Sequence, residues 1–374
     1  MGNYTGMVLL DLQKAFDTVN HDILCRKLSI MGIGSTAWFQ SYLSNRQQVV
    51  CVNDVESDPL KVSCGVPQGS ILGPLLFLCY VNDMSVSVNC KLLLYADDSA
   101  LLVPGKNPTE IGRILSKELE SCSQWLCDNK LSLHLGKTEC ILFGSKRKLS
   151  QAIGFSVVCN DVVVQQASTV KYLGVSLDQS MSSEEIALNV IKKTNGRIKF
   201  MYRQARFLNE KSKKTLCSAL IQCYFDYSCS SWYSALSVKL KDKLQIMQNK
   251  MVRFILDLDS RAHIGQRELT SLNMLCVKDR VTQLKMNHVF KIFHDSSIQY
   301  LKYKFRVFSE IHNHNTRNSA YNFILPRAKS QACNTFYFTG IQEWNSLPTE
   351  IKQICNPNQF KRAIKTHFSK IGNQ

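Results

Sequence analysis

Three aspartates beside apolar segments are the residues of this sequence that most clearly indicate chemistry. Asp97 and Asp98 are adjacent and lie between two apolar stretches, and Asp11 directly follows the apolar residues 7–10. Ionised carboxylates next to buried strands are unfavourable unless a cation meets them. Carboxylate oxygens favour Mg²⁺, which keeps water ligands and accepts phosphate oxygens as further ligands. Taken alone, the Asp97-Asp98 pair is equally compatible with an acidic β-turn that faces solvent.

The apolar periodicity predicts the elements that position these aspartates. Residues 7–10 predict a buried strand that ends at Asp11, and residues 15–31 predict a helix that stops before Gly32 and Gly34. Residues 91–103 predict two strands joined by a tight acidic turn. Strands are also predicted over 138–143, 155–164 and 171–177, a hairpin around Asn53 and Asp54, and helices over 38–43, 70–84 and 109–129. Strands mixed with helices that pack on one face indicate an α+β fold.

Helices dominate after about residue 182, where we expect a domain boundary. One of them carries an apolar stripe with spacings of three and four residues, which is typical of a bundle helix. The stripe consists of Leu240, Leu244, Met247, Met251, Phe254 and Leu258.

Five segments in order resemble the motifs of reverse transcriptases of the LINE, or non-LTR retrotransposon, type. Residues 10–19 (LDLQKAFDTV) are similar to the first palm motif, residues 65–74 (GVPQGSILGP) to the second, and residues 95–98 (YADD) to the third. Residues 131–133 (LSL), with Lys137, Thr138 and Phe143, resemble the fourth motif, in which His134 stands where Asn is common. Residues 171–174 (KYLG) resemble the strand that grips the primer end. Five ordered motifs are far more specific than one.

The resemblance implies a polymerase palm, an antiparallel sheet with helices on one face, over residues 1–181. A basic, helical, thumb-like region would follow over 182–260, and a mainly helical C-terminal region over 261–374. The implied function is RNA-directed DNA polymerase activity, with two Mg²⁺ ions and with dNTPs, an RNA template and a DNA primer or target as partners. Two such ions about 3.5–4 Å apart stabilise the attacking and leaving oxygens of a phosphoryl displacement.

The resemblance also assigns roles to the residues of the catalytic centre. Asp11 and Asp97 would be metal ligands, helped by the Leu12 carbonyl, and Asp98 would shape the site or hold the primer terminus. Lys137 would approach the leaving pyrophosphate, although a single lysine after a helix is usually just solvated. The residues expected to grip the primer are Tyr172, Leu173 and Gly174.

A nucleotide-binding pocket is implied by the first three motifs. The Phe16 ring would exclude a 2′-hydroxyl, whereas the alternative for a lone phenylalanine in a helix is a core position. The backbone at Gly69 would approach the substrate closely, although the same loop is also compatible with a simple helix entry. The residues expected to bind the nucleotide are Leu12, Ala15, Phe16, Gln68, Gly69, Tyr95 and Ala96.

Nearby polar residues invite a metal interpretation that the sequence does not favour. Asp17 lies six positions beyond Asp11, inside the predicted helix, and we interpret it as structural. His21 and Asp22 lack further ligands in the pattern, so a helix N-terminal cluster is favoured over a metal site.

The net charge of +17 lies entirely in the second part of the chain, because residues 1–150 carry 14 basic and 14 acidic residues. Nine basic residues and one acid occur between Lys192 and Lys214, interleaved with aromatic residues. This pattern predicts binding to a phosphate backbone, with a solvated bundle helix as the alternative. The cations assigned to this surface are Lys192, Lys193, Arg197, Lys199, Arg203 and Arg206.

The remaining composition narrows the class of protein. The 15 cysteines contain no C-x-x-C pair, which favours reduced thiols over a disulfide framework or a zinc ribbon. No apolar run is long enough to span a bilayer, so we expect no membrane association. The C-terminal region resembles the closing segment of many LINE reading frames in a few residues, namely His312, His314, Arg317, the aromatic residues 336–338 and Trp344. We expect no zinc site at the histidines. A nuclear as well as cytoplasmic location is implied by the family alone.

The sequence departs from the family at its front. A fingers subdomain precedes the first palm strand in the family, and many members also carry an endonuclease, but Met1 stands only ten residues before Asp11. We therefore expect an N-terminally truncated element copy or a gene start placed too late. The alternative to an active polymerase is a catalytically inactive remnant that only binds nucleic acid.

Overall fold

The computed structural model describes residues 3–310, 320–328 and 330–371, and divides the chain into two compact units, Met1–Met181 and Ser182–Gln374. The first unit contains a 3-10 segment at Asn82–Ser87. Its strands and α-helices, in chain order, are β1 (Tyr4–Leu10), α1 (His21–Ile30), α2 (Thr36–Leu43), β2 (Gln47–Gln48), β3 (Cys51–Val52), β4 (Val55–Glu56), β5 (Leu60–Lys61), α3 (Leu72–Val81), β6 (Lys91–Tyr95), β7 (Asp98–Gly105), α4 (Pro108–Asp128), β8 (Glu139–Phe143), α5 (Lys146–Leu149), β9 (Val158–Cys159), β10 (Val162–Val163), β11 (Gln165–Gln166), β12 (Thr169–Tyr172) and β13 (Val175–Asp178).

A five-stranded sheet in the order β11-β8-β1-β7-β6 forms the centre of the first unit. Its middle strand β1 pairs antiparallel with β7 and β8, and β6 pairs antiparallel with β7. Because side chains alternate along a strand, each strand contributes to both faces. One face carries Val8 and Leu101 into the main core, and the other carries Met7 and Ala100 into a smaller cluster.

Helix α4 packs directly on the middle of the sheet. A Cβ atom added at Gly6 in β1 would lie 2.4 Å from Ile111 Cγ2 and 2.6 Å from Leu115 Cδ1. Both of these α4 side chains are buried. Any larger residue at position 6 would force these buried side chains to move, so the packing of α4 on β1 favours glycine there. The α+β prediction, an antiparallel-rich sheet with helices on one face, is confirmed.

The helix predicted from residue 15 begins later, at His21. Lys14 has a positive φ of 45°, and the Phe16 carbonyl accepts a hydrogen bond from the Val66 N–H at 2.8 Å. Residues 13–18 therefore form a loop, and Asn20 caps the helix because its side chain accepts from the Ile23 N–H at 3.0 Å. Similarly, the strand predicted over 155–164 is two short strands, β9 and β10, and the one over 171–177 is the hairpin of β12 and β13.

The second unit is helical over its described residues. Its short 3-10 segments lie at Ala205–Phe207, Tyr233–Ala235, Ser296–Ile298, Phe308–Glu310 and Ser330–Asn334, and a π-helical turn lies at Ser218–Gln222. The α-helices are α6 (Glu184–Tyr202), α7 (Glu210–Cys217), α8 (Cys223–Asp226), α9 (Cys229–Trp232), α10 (Val238–Ile255), α11 (Gln266–Ser271), α12 (Val277–His294), α13 (Gln299–Lys302), α14 (Phe336–Asn345), α15 (Thr349–Lys352) and α16 (Pro357–Ile371).

Two hydrophobic clusters hold the second unit together. The first joins α6 to α10 and includes Ile264 and Leu269, so it crosses residue 260, where the sequence suggested a division. The apolar stripe of α10 is buried in it, except that Leu258 lies beyond the end of the helix. The second cluster lies around Trp344, whose indole N–H donates to the Tyr321 carbonyl at 2.8 Å. Trp344 is therefore a core residue.

The predicted group of His312, His314 and Arg317 lies outside the described residues. Among the described residues, no helix is both long and apolar enough to cross a bilayer.

Candidate active site

Asp11 and Asp98 lie side by side on the face of the sheet opposite α4. The ladder between β1 and β7 ends at the pair Leu10–Ser99, so the next facing positions are Asp11 and Asp98. Strand alternation puts both on the face that carries Met7 and Ala100. Burial raises the pKa of Asp98 above its usual value, and the neighbouring charges of Asp97 and Asp11 raise it further. The three carboxylates therefore form one acidic cluster.

The turn between β6 and β7 carries Asp97. Tyr95 pairs with Asp98, which leaves Ala96 and Asp97 as the two central residues. Ala96 has a positive φ of 53°, whereas Asp97 is not among the residues with positive φ, the pattern of a type II′ turn. Asp97 and Asp98 are both exposed, and the register of β6 and β7 places Asp98 rather than Asp97 at the ladder position facing Asp11.

The cluster offers carboxylate oxygens as ligands, but it does not supply a complete coordination shell for a metal ion. Among the described residues, no group of three or more His, Cys, Asp and Glu side chains is close enough to hold a metal by itself. Mg²⁺ is usually held by one or two carboxylates together with substrate phosphates and water. Burial and the charges of Asp97 and Asp11 raise the pKa of Asp98, and a bound Mg²⁺ would relieve that repulsion, so the cluster fits such an ion.

Lys137 is the basic residue nearest to Asp11 among the described ion pairs. Its Nζ lies 4.0 Å from Asp11 Oδ2, and both side chains are largely exposed, at 66% and 46%. The loop is held there because the His134 N–H donates to the Asp11 carbonyl at 2.8 Å, and Leu12 bridges to Leu133. A pair this exposed is screened by water, so Lys137 remains available to a ligand. The His134 contact uses its backbone, so the departure from Asn leaves it intact.

The first and second motifs are joined into one loop assembly. The Gln68 amide donates to Asp17 Oδ1 at 2.8 Å, and the Gly65 N–H donates to the Val19 carbonyl at 2.7 Å. Gly65 has φ of +88°, and a Cβ there would lie 2.7 Å from the Asp17 carbonyl oxygen, so only glycine fits. His21 Nε2 is hydrogen-bonded to the Gly65 carbonyl at 2.8 Å. Asp17 and His21 thus have structural roles.

The residues predicted to bind a nucleotide differ in exposure. Phe16 is half-buried and its ring stacks on Phe77 of α3, with centroids 4.3 Å apart. Ala15 is buried in the main core, so only its backbone is left to meet a substrate. Gln68 and Gly69 are exposed in the loop before α3, and Tyr95 is exposed beside Asp98. Leu12 and Ala96 are partly exposed next to the carboxylates.

The predicted primer-grip segment is the tip of the hairpin β12–β13. Leu173 and Gly174 have φ of 47° and 77°, which is the pattern of a type I′ turn. A leucine in this left-handed region is strained, and such strain is concentrated at functional sites. The hairpin packs through Val170 on the face of the sheet opposite α4. Burial raises the pKa of Tyr172, and the charge of Asp98 raises it further, so the tyrosine lies near the acidic cluster.

In the second unit, the predicted basic surface is only partly helical. Lys192, Lys193, Arg197 and Lys199 are exposed on α6, whereas Arg203 and Arg206 are exposed beyond its end at Tyr202. Arg203 and Arg206 therefore do not continue the α6 surface that carries Lys199. A groove of about 550 Å³ is lined by Asn189, Lys192, Lys193, Gly196, Arg197, Phe200 and Tyr224.

One member of the basic run points inward. Lys213 is 2% exposed, forms an ion pair with Asp257, and its Nζ lies 5.6 Å from the centre of the Phe254 ring. It is therefore part of the core. Sequence reasoning also missed the stacking role of Phe77, although the apolar run of residues 72–81 did place it in a helix.

Comparisons with known proteins agree with these features. The family described as reverse transcriptase (RNA-dependent DNA polymerase) matches residues 1–177. The chain is 30% identical over 270 residues to the "Probable RNA-directed DNA polymerase from transposon BS" of Drosophila melanogaster, covering 68% of this chain and 29% of that protein. It is 25% identical over 264 residues to the RNA-directed DNA polymerase from mobile element jockey of Drosophila funebris, covering 67% and 28%.

Among solved structures, telomerase from Candida tropicalis in complex with a fragment of telomeric RNA is similar with a TM-score of 0.37 and 12% identity, covering 76% of this chain and 47% of that one. The chain spans less than a third of the length of the transposon relatives named above. The matched segment contains Asp11, Asp97 and Asp98, the loop before α3 and the tip of the hairpin β12–β13. Residues 1–177 therefore belong to the reverse transcriptase family, in the form found in non-LTR retrotransposons.

Proposed function

We propose that this chain is an RNA-directed DNA polymerase module that adds dNTPs to a primer 3′-hydroxyl on an RNA template, using two Mg²⁺ ions. The observation that carries the proposal is the adjacent placement of Asp11 and Asp98, with Asp97 close by, on the open face of the sheet. Mg²⁺ bound there would stabilise the attacking and leaving oxygens of the phosphoryl displacement.

The surrounding residues would position the reactants. Lys137, next to Asp11, would neutralise negative charge on the departing pyrophosphate. Phe16, fixed by its stack on Phe77, would occupy the space of a ribose 2′-hydroxyl. Tyr172 and the strained hairpin tip lie near Asp98, which supports a role in holding the primer terminus beside the carboxylates.

The groove beside α6 supports binding of the nucleic acid. It combines three cations with Phe200, which is 55% exposed, and Tyr224, whose ring centre lies 5.4 Å from Lys193 Nζ. A Cβ at Gly196 would meet nothing within 4 Å, so the helix offers open space at its middle. Cations that follow a phosphate backbone together with aromatic faces are typical of nucleic-acid binding without sequence preference. The groove lies wholly in the second unit, so it supports a chain that binds nucleic acid without synthesis as the second candidate.

Primer extension on an RNA template with the full chain tests the proposal. We expect Mg²⁺-dependent extension that falls about 100-fold or more in Asp11→Asn and in Asp98→Asn, because each change removes a charge from the catalytic centre. Asp54→Asn, in the exposed turn between β3 and β4, is the matched control and should extend normally. Extension that survives in Asp11→Asn would overturn the assignment of the acidic cluster. A chain that binds RNA but extends no primer would favour the second candidate.

A further inference from the structure

The second unit contains a cavity between the end of α12 and the start of α16. Its volume is about 430 Å³, and it shares no lining residue with the basic groove beside α6. Its lining includes Phe290, Lys291, His294, Asp295, Phe360 and Lys361. Pockets that bind small molecules typically have volumes of about 300–1,000 Å³, with aromatic walls and a few polar groups. The cavity therefore has the size and the lining of a site for one small ligand.

A column of stacked rings leads from the core of the second unit to this cavity. Trp344 stacks on Phe360 with ring centroids 5.7 Å apart, and Phe360 stacks on Phe290 with centroids 4.3 Å apart. The ring of His294 follows Phe290 at a centroid distance of 4.3 Å, tilted by 35°. The first three rings are buried, whereas His294 is exposed. The column therefore ends in an accessible ring on the wall of the cavity.

His294 can act as an uncharged platform for another planar group. Partial burial lowers its pKa, and the nearby charge of Lys302 lowers it further, so the imidazole is neutral near pH 7. Phe293 contacts the imidazole edge-on, with ring centroids 4.8 Å apart, which helps to fix its orientation. Unpaired bases of RNA stack on histidine as they do on phenylalanine, tyrosine and tryptophan. The exposed end of the column thus suits an unpaired base.

Two lysines flank this platform. Lys291 precedes His294 by three residues on α12, Lys361 lies near the start of α16, and both are exposed. Neither forms an ion pair among the described residues. The carboxylate in the lining, Asp295, accepts a hydrogen bond from the Ser297 N–H at 2.8 Å. With two lysines against this one carboxylate, the lining is net positive and suits a phosphate group.

We propose that this cavity binds one unpaired nucleotide, with its base stacked on His294 and its phosphate group beside Lys291 and Lys361. Aromatic faces combined with cations are how proteins bind single-stranded nucleic acid without reading its sequence. A base inside a duplex is stacked on both faces, so the site selects unpaired nucleotides. This inference goes beyond the proposed polymerase activity and does not depend on it.

Calorimetric titration of the full chain with AMP and with ribose 5-phosphate, both in EDTA, tests the proposal. The two ligands carry the same phosphate group, and only AMP carries a base. We expect AMP to bind roughly tenfold more tightly or better, because only its base can stack on His294. Equal affinities for the two ligands, or no binding of AMP, would overturn the proposal. EDTA excludes Mg²⁺ from the acidic cluster of the first unit, so either failure would leave the polymerase proposal untouched.

Substitutions identify the groups that bind. His294→Ala should remove the preference for AMP over ribose 5-phosphate, whereas His294→Phe keeps a ring and should retain that preference. Lys361→Gln should weaken binding of both ligands about tenfold. Arg362→Gln, exposed on the same helix but not lining the cavity, should change neither affinity.

A preference for AMP that persists in His294→Ala would overturn the stacking, and unchanged affinities in Lys361→Gln would overturn the phosphate contact. Should a cavity variant fail to fold, the comparison of the two ligands in the unmodified chain still decides.

The source of the nucleotide is found by competition against AMP. A short single-stranded RNA should displace AMP, and the same RNA annealed to its complement should not, if the ligand is an unpaired position within a strand. Displacement by neither RNA would assign the cavity to a free nucleotide. Equal displacement by the single strand and the duplex would show that pairing does not matter, and would overturn the proposed selection of unpaired nucleotides.

Discussion

The two units of this protein differ in the sign and the pairing of their charged side chains. In the first unit, carboxylates are gathered at a sheet end, where burial and then the charges of Asp97 and Asp11 raise the pKa of Asp98. In the second unit, two buried lysines are paired with carboxylates, Lys213 with Asp257 and Lys285 with Glu343 at 2.7 Å, while Lys192 and Lys193 are left exposed on α6. Buried ion pairs of this kind stabilise the fold, whereas exposed charges of one sign gathered on one surface fit a ligand of the opposite sign.

The largest expected effect concerns the paired charges. Lys285 is 1% exposed and also donates to Ser234 Oγ at 3.1 Å. Lys285→Met should lower the free energy of unfolding by about 3–5 kcal/mol, because Glu343 would keep a partly buried charge without its partner. Denaturant titration followed by circular dichroism measures this. Lys193→Met, on the exposed face of α6, should change stability by no more than about 0.5 kcal/mol.

A double substitution tests the reason for that loss. Lys285→Met combined with Glu343→Leu removes both charges and should recover most of the stability. A double variant as unstable as the single one would show that packing around Lys285, rather than its ion pair, is what matters. That result would contradict the conclusion that the buried ion pair of Lys285 with Glu343 stabilises the second unit.

The next effect concerns substrate selection. Phe16→Ala removes the ring that stacks on Phe77 while leaving the carboxylates in place. We expect the preference for dNTPs over rNTPs to fall roughly 10- to 100-fold, because discrimination against an added hydroxyl depends on the space available. Single-nucleotide extension with each substrate measures the ratio of kcat/KM. An unchanged ratio, with overall activity reduced, would assign Phe16 to the core alone.

The sequence predicts local features of this site well and long-range ones poorly. The strands and turn of residues 91–103 follow from two short apolar runs on either side of an acidic pair. The register that brings Asp98 rather than Asp97 opposite Asp11 depends on a ladder between segments 86 or more positions apart, and a slip of one residue would exchange them. The start of α1 could have been predicted from the sequence, because Asn20 is a residue type that commonly caps a helix N-terminus. The prediction began the helix too early because Ala15 and Phe16 continue the apolar pattern.

The inward position of Lys213 shows the same limit in the second unit. Nothing within its basic run distinguishes it from its neighbours, and its partner Asp257 lies 44 residues away. The long side chain reaches that carboxylate because α7 packs against α10. The count of charged residues therefore predicted a basic surface, but it did not predict which of the cations lie on that surface.

A smaller effect is expected from the exposed cations. Replacing Lys192, Lys193 and Arg197 together with glutamine should weaken binding of a short RNA–DNA duplex on the order of tenfold at low salt. The slope of log affinity against log salt should become shallower by roughly 0.7–0.9 for each lost phosphate contact. Fluorescence anisotropy over a salt series measures both. A matched triple substitution of Lys239, Lys243 and Lys250, on α10, should leave the slope nearly unchanged.

The smallest expected effect links the acidic cluster to stability. The raised pKa of Asp98 means that the folded chain holds this proton more tightly than the unfolded chain, so stability falls as pH rises through the range above the ordinary aspartate pKa. Asp98→Asn should therefore raise Tm slightly at pH 7 without Mg²⁺ and show no gain near pH 3. Mg²⁺ should raise the Tm of the unmodified chain more than that of the variant, because only the former keeps both facing carboxylates. Thermal unfolding at both pH values, with and without the ion, measures this. A variant less stable than the unmodified chain at pH 7 would show that Asp98 is paired for the fold, and would remove the contrast between the two units.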